Sequence, residues 1–299
     1  MSTAWRVGEA ADGERVDLFL AREAKLSRSR LKSLFEDGAV KVDGRRVPKG
    51  ALLKQGQEVA LTLPEPPAAT VPPQPELPLE VLFEDAQLVA VSKPAGAPCH
   101  PLQPGETGTV ANALVARYPT CAQAGADPRE AGLCHRLDTE TSGVLLAAKD
   151  RASWDAVRGA FQAHTVTKRY VALVSGPIDD AGELSLRLAH RGDHVVPAPF
   201  DDDARDAESS FRVTRRKGEW SLVEVDIVTG VLHQVRAHLA AIGAPIAGDV
   251  LYGGQSVEGL SRFFLHAALL ALPHPATGQR LTLECPLPAD LAAVRDRLL

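Results

Sequence analysis

Apolar positions follow a strand period in some stretches of this chain and a helix period in others, and the changes of period mark its elements. Leu79 to Asp85 and Leu88 to Pro94 read as two strands joined by a tight turn, and Pro94-Ala95-Gly96 ends the second abruptly. Val144 to Ala148 is a continuous apolar run that follows the turn formers Thr141, Ser142 and Gly143, the pattern of a buried strand entered from a polar loop. Asp150 caps a helix that sets Trp154, Val157 and Phe161 on one side, and both aromatics are expected in the core. Further on, Lys168 to Val174 reads as a strand, Ser221 to Val228 alternates as another, and Thr229-Gly230 turns the chain. His233 to Ile242 is then a helix stopped by Gly243, with Val235, Leu239 and Ile242 as its buried face. Asn112 to Arg117 begins another helix. Helices and strands thus alternate irregularly, without a glycine-rich phosphate loop. The expected class is α+β, built on a mixed, mostly antiparallel sheet rather than a doubly wound one.

A small α+β module precedes this part. Arg15 to Ala24 and Ser27 to Asp37 read as two short helices, the second capped by Ser27 and closed by Gly38. Val40-Lys41-Val42, Asp43-Gly44 and Arg45-Arg46-Val47 spell a hairpin with a two-residue turn, and Gln57 to Leu63 completes the sheet. Between the two parts, seven prolines from Pro64 to Pro78 favour extended, semi-rigid backbone. Three segments follow: a module over 1–63, a linker over 64–78 and a larger domain over 79–299. The alternative to a linker is a loop lying across the larger domain.

Composition narrows the function classes. Hydrophobic residues make up 45% of 299, enough for a substantial core and against disorder. The N-terminal residues carry charges from Arg6 onward, and the longest apolar stretch, Phe263 to Leu272, is interrupted by His266 and too short for a bilayer. A cytoplasmic protein without membrane attachment is expected. Cys99, Cys121, Cys134 and Cys285 are scattered, so reduced structural thiols are expected rather than zinc ligands. His233 and His238, five apart, do not share a helix face, and no carboxylate cluster completes a metal site with them. The formal charge of −5 hides an asymmetry: residues 25–54 hold nine cations against three carboxylates, so this segment is +6 and the remainder −11. Any attraction for phosphate is therefore concentrated near the N-terminus. Arg28, Arg30 and Lys32 stand largely exposed on the second helix, beside Arg45 and Arg46 on the hairpin, although many basic runs are only solvated faces.

Asp138 is the candidate reactive group. It sits in the polar loop His135-Arg136-Leu137-Asp138-Thr139-Glu140-Thr141-Ser142-Gly143, braced by the strand that follows. Taken alone, such an Asp more often caps its own turn. The run His135 to Asp138 followed by Thr141-Ser142-Gly143 resembles the catalytic motif of the RluA-type RNA pseudouridine synthases, which isomerise uridine within RNA. Lys93-Pro94-Ala95-Gly96, Lys168 to Val174, Thr229 to Leu239, Gly248 to Gly253 and Phe264 to Ala267 extend the resemblance in order across residues 79 to 290. Residues 13 to 63, through Arg15-Val16-Asp17, Leu26 to Leu31 and Val40 to Gly44, resemble the alpha-L RNA-binding domain.

The resemblance implies roles. The reaction breaks the bond from the base nitrogen to the ribose carbon, turns the uracil over and forms a carbon–carbon bond, so one ionised carboxylate suffices, as nucleophile or as base. Asp138 is that group. Arg236, which alone would pass for a surface ion-pair partner, takes the position of the arginine that pairs with the acid. Tyr170 takes that of a tyrosine that stacks on the flipped uracil and could move a proton at its carbon. Arg136 would fill the space left by the flipped nucleotide, and His135 would orient the loop by backbone hydrogen bonds. Val231 departs from the family's usual Arg, and the acidic run Asp201-Asp202-Asp203 from its usual basic or neutral loop. The resemblance implies an RNA partner, ribosomal RNA before transfer RNA, no cofactor, no metal and a monomer. Two competitors remain: an assembly factor that binds RNA without turnover, and a glycoside hydrolase that would release free base.

Overall fold

The computed structural model describes residues 2–24, 31, 34, 35, 38–62 and 70–299. The chain forms two compact units, Met1–Ala68 and Ala69–Leu299.

In the first unit a four-stranded antiparallel sheet has the order β1 (Ser2–Arg6), β4 (Glu58–Thr62), β2 (Val40–Val42), β3 (Arg45–Arg46). The β2–β3 turn has Asp43 at φ 48° and Gly44 at φ 79°, the left-handed pair that a two-residue hairpin requires. Helix α1 spans Val16–Glu23, with Arg15 as its N-cap, one residue inside the predicted span. Phe19, Leu20, Leu31, Leu34, Val40, Val59 and Leu61 form the core. Most of the predicted second helix lies outside the described residues, as do Arg28, Arg30 and Lys32. Leu31, Leu34 and Phe35 within it are helical, and Gly38 takes the expected positive φ of 69°. Strand β1 was not anticipated, because Ser2–Arg6 has no clean alternation.

The second unit is built on a ten-stranded sheet whose main path is β10-β9-β11-β12-β8-β13-β7-β6-β5, with β14 on β13. The strands are β5 (Glu80–Glu84), β6 (Leu88–Lys93), β7 (Ser142–Ala148), β8 (Thr167–Ser175), β9 (Ala181–Arg191), β10 (His194–Pro197), β11 (Arg205–Lys217), β12 (Trp220–Ile227), β13 (Leu265–Pro273) and β14 (Arg280–Glu284). Only β13 and β7 run parallel among the described pairs, so the sheet is mostly antiparallel as expected. Helices α2 (Val110–Arg117), α3 (Arg151–Gln162), α4 (Gln234–Ala241) and α5 (Ala289–Leu298) cover it. α2 starts two residues before the predicted helix because Thr109 and Asn112 close a reciprocal capping box. α3 begins, as predicted, on the Asp150 cap, whose carboxylate accepts from Ser153 N at 2.8 Å.

Two expectations change. Residues 70–78 are not a free linker: Val71 is buried in the core under α2, Pro72 O accepts from Asn112 Nδ2 (2.8 Å), and Gln74 N donates to Asn112 O (3.1 Å). Residues 63–69 lie outside the described set. Trp154 and Phe161 are half-buried rather than core, because α3 lies at the rim of a cleft.

Strand register brings the central residues together. Ala267 of β13 pairs with Gly143 of β7 on one side and Tyr170 of β8 on the other, so the loop that enters β7 and Tyr170 are separated by a single strand. Gly143 has φ 127°, and a Cβ there would collide with the Ala267 backbone; only glycine permits this approach.

Candidate active site

The loop carrying Asp138 is fixed from below by buried polar groups. Lys93, 1% exposed, donates from Nζ to Pro94 O (2.9 Å) and Thr139 O (2.8 Å), and Gly96 N donates to the same Thr139 carbonyl. Burial pulls Lys93 down to about 8, although Cys99, Glu140 and Asp138 act in the opposite direction. Leu137 N donates to Cys99 Sγ (3.2 Å), and that thiol donates back to Leu137 O (3.3 Å). Arg262, also buried, donates to Glu140 O and to Ser142 Oγ while it pairs with Asp290 at 2.9 Å. Thr141 N closes the turn on Asp138 O at 3.0 Å. The main chain of the loop is thus held by groups other than the Asp138 carboxylate, which the turn does not consume.

That carboxylate faces Arg236. The Arg236 Nη1 to Asp138 Oδ2 distance is 3.6 Å, and the side chains are 6% and 19% exposed. Arg236 is therefore not a surface residue of α4. Its tight partner is Asp249, bonded through Nε (2.7 Å) and Nη2 (2.8 Å), and its guanidinium lies over the rings of Tyr252 (4.8 Å) and Phe263 (4.3 Å). Burial opposes the Arg236 charge, yet the bonds to Asp249 and the charges of Asp249 and Asp138 raise its pKa above the usual arginine value. With Nε and Nη2 occupied, Nη1 is left to face Asp138. His233 completes the group with Nε2 3.9 Å from Asp138 Oδ2; it is not a helical residue but the left-handed N-cap of α4, at φ 52°.

Around this pair opens a cleft of about 550 Å³. Arg136, Arg158, Lys168, Arg205 and Arg236 line it, and Asp138 is the lone carboxylate among its lining residues. Tyr170 lines it as well, and burial followed by the Asp138 charge pushes its hydroxyl pKa up, so the phenol stays protonated. Arg136 is exposed at the mouth. His135 turns back to the sheet, where Nε2 accepts from Leu146 N (3.1 Å). Burial, with Lys168 and Arg158 nearby, drives it down to about 3, so it is a neutral brace. Lys168 ties the opposite rim by donating to Val228 O (3.0 Å) and Thr229 O (2.6 Å). Val231, half-buried, packs beside Leu232 and Tyr252. Asp201 pairs with Arg191, and no cluster of potential metal ligands occurs among the described residues.

The structure thus brings together Asp138, Arg236, Tyr170, Arg136 and His135. Arg45 and Arg46 lie exposed on β3 of the first unit. Sequence reasoning missed Asp249, Tyr252, Lys93, Arg158, Lys168 and Arg205. Asp249 and Tyr252 fall in the segment Gly248 to Gly253, which the resemblance covers without giving either a role, and the one available signal is an acid between apolar neighbours, a position that burial permits only with a partner.

A mostly antiparallel sheet thus carries a cationic cleft around one carboxylate, an arrangement suited to a polyanionic substrate. Residues 87–241 match the family model described as RNA pseudouridylate synthase. An uncharacterized RNA pseudouridine synthase of Bacillus subtilis (strain 168) is 34% identical over 292 residues, covering 97% of this chain and 96% of its own. A protein of Xanthomonas campestris pv. campestris named ribosomal large subunit pseudouridine synthase D is 32% identical, covering 98% and 91%. Among solved structures, human RNA pseudouridylate synthase domain containing 4 matches with a TM-score of 0.59 and 27% identity over 73% of this chain and 92% of that one. The chain belongs to the RNA pseudouridine synthase family and is an isomerase acting on RNA.

Proposed function

We propose that this enzyme is an RluA-type synthase that converts uridine in large-subunit ribosomal RNA to pseudouridine, with Asp138 as its catalytic carboxylate. The observation that carries this reading is the lone carboxylate of a cationic cleft, compensated by a guanidinium at 3.6 Å that is itself held by a second acid. A uridine everted into the cleft brings its C1′ to Asp138 and its base over the Tyr170 ring, at an unstacking cost of a few kcal/mol. Asp138 acts there as nucleophile or as base, the bond from N1 to C1′ breaks, and the uracil turns over. C5 then bonds to C1′, and the C5 proton leaves, with N1 gaining one, so atoms balance without water or an external electron carrier. The Tyr170 hydroxyl, protonated at working pH, relays that proton by passing its own to N1 as it takes the one leaving C5. Arg136 at the mouth fills the space the base vacates, and Arg158, Lys168 and Arg205 attract the flanking phosphates.

The first unit serves as an alpha-L-type RNA-binding domain, with Arg28, Arg30, Lys32, Arg45 and Arg46 as its phosphate contacts. The ribosomal target draws support from the relatives named for the large subunit. The reading takes a monomer that uses no metal. Mapping pseudouridines in cellular RNA with and without this protein tests it: a site lost from large-subunit ribosomal RNA is the expected result. Loss confined to transfer RNA overturns the target.

A further inference from the structure

Next to the aspartate–arginine pair lies a chain of polar groups that the reaction as described leaves unused. Val195 N donates to the Tyr252 hydroxyl oxygen (2.9 Å), and that hydroxyl lies 3.2 Å from His233 Nδ1. With a lone pair occupied by Val195, the Tyr252 proton is free to point at Nδ1, which then accepts. A neutral imidazole that accepts at Nδ1 carries its proton on Nε2, the nitrogen 3.9 Å from Asp138 Oδ2. The opposite tautomer would aim a lone pair at a carboxylate. The Tyr252 ring meets the imidazole edge-on, with centroids 5.8 Å apart, and restricts its rotation. His233 moreover holds a left-handed backbone (φ 52°, ψ 22°) that a residue with a Cβ adopts at a cost.

Resting on the reading of Asp138 as the catalytic carboxylate, we infer that His233 is a positioning residue, a neutral N–H donor that fixes the reacting oxygen of Asp138 with its tautomer set by Tyr252. The 3.9 Å separation exceeds a hydrogen bond, and the inference requires it to shorten when a base fills the cleft. Arg236 supplies charge from one side of the carboxylate, and His233 supplies direction from the other. Protonated His233 would instead pin Asp138 as an ion pair and slow its approach to the sugar.

The groups facing His233 are Asp138 and Arg136 from the loop before β7, Arg236 from α4, Asp249 and Tyr252 from the turn after α4, and Asp193 from the β9–β10 hairpin, whose His194 lies against the Tyr252 ring instead. Burial lowers the His233 pKa and Arg236 and Arg136 add to this, while Asp138 and Asp249 oppose it. The neutral donor therefore persists at neutral pH, and an acid limb falls below the ordinary histidine range.

The test is single-turnover isomerisation at saturating enzyme on a uridine-containing ribosomal RNA fragment, from pH 5 to 8, with His233→Leu and His233→Gln in the full chain. Leu should slow the step on the order of 10- to 100-fold with unchanged RNA affinity. Gln, which keeps an N–H donor, should recover most of the rate and lose the acid limb. Nitrogen-15 spectra of histidine-labelled protein should show the Nε2–H tautomer at neutral pH, and Tyr252→Phe should mix the tautomers. An Nδ1–H tautomer, or a folded His233→Leu at full rate, overturns the inference. If His233→Leu fails to fold, the Gln variant and the spectra still decide it. Asp138→Asn runs alongside: if it turns over, the reading of Asp138 fails, whereas an inactive Asp138→Asn beside a fully active His233→Leu removes His233 alone.

Discussion

Removing Asp249 should damage stability and catalysis by separable routes. Arg236 and Asp249 are 6% and 1% exposed at their side chains and share bonds of 2.7 and 2.8 Å. At an effective dielectric of about 20, charges about 4 Å apart attract by about 4 kcal/mol, and breaking such a buried pair typically costs about 3–5 kcal/mol because one charge is left uncompensated. Asp249→Ala should therefore lower the unfolding free energy by about 3–5 kcal/mol and the melting temperature by on the order of 10 °C. It should also release Nε and Nη2, so that Arg236 closes on Asp138, and turnover should fall. The double variant Arg236→Met/Asp249→Leu replaces the pair with apolar groups of similar size between Tyr252 and Phe263, and its stability should return to within about 1–2 kcal/mol of the parent. Its turnover should stay lost, since no guanidinium faces Asp138. Urea unfolding and single-turnover rates on these variants measure both effects, and the cycle completed by Arg236→Met and Asp249→Leu alone gives the coupling. A coupling below about 1 kcal/mol, or a double variant that isomerises uridine, would refute the two roles assigned to Arg236.

Other consequences are open to simpler measurement. Neutralising Arg45 and Arg46 together should weaken RNA binding and flatten the slope of log affinity against log salt by about 0.7–0.9 per lost phosphate contact; an unchanged slope removes that surface. His135 and His238 are held neutral by burial, at about 3 and about 4. The unfolded chain takes up their protons near pH 6.5 and the native one does not, so stability should be full above that pH and decline as it falls toward 4. Melting at pH 7.5 and 5 reads this, and equal or higher stability at pH 5 would contradict it. Lys93→Met removes the ammonium that bonds Pro94 O and Thr139 O beneath the Asp138 loop and should lower turnover more than RNA affinity; a parent-like rate would mean that the remaining bonds hold the loop.

Much of the second unit was legible because its central elements follow simple periods. Val144 to Ala148 is apolar throughout because β7 is covered on both faces, and the Asp150 cap and the Thr229-Gly230 turn use residue types that favour those positions. Strands β9 and β11 were missed for the opposite reason. Arg205–Lys217 is exposed along much of its length, so charge hides the alternation. The site was legible where one loop carries it, from His135 to Asp138. It was not legible where a buried ion is satisfied by a distant backbone or acid: Lys93 reaches Thr139, Arg262 reaches Glu140, and Asp249 holds Arg236. Such partners share no spacing, and the fold alone brings them together. The helix at Arg236 shows the limit well, since its neighbours suggested an amphipathic surface helix while Gln234 through Leu239 are all buried.

The most direct measurement is release of tritium from RNA labelled at uridine C5, with products resolved by mass spectrometry, for the parent protein and Asp138→Asn. The account predicts tritium in water and pseudouridine in the chain for the parent, no free uracil, and neither product from Asp138→Asn at undiminished RNA affinity. Pseudouridine formed by Asp138→Asn at the parent rate, or free uracil from the parent, would contradict it.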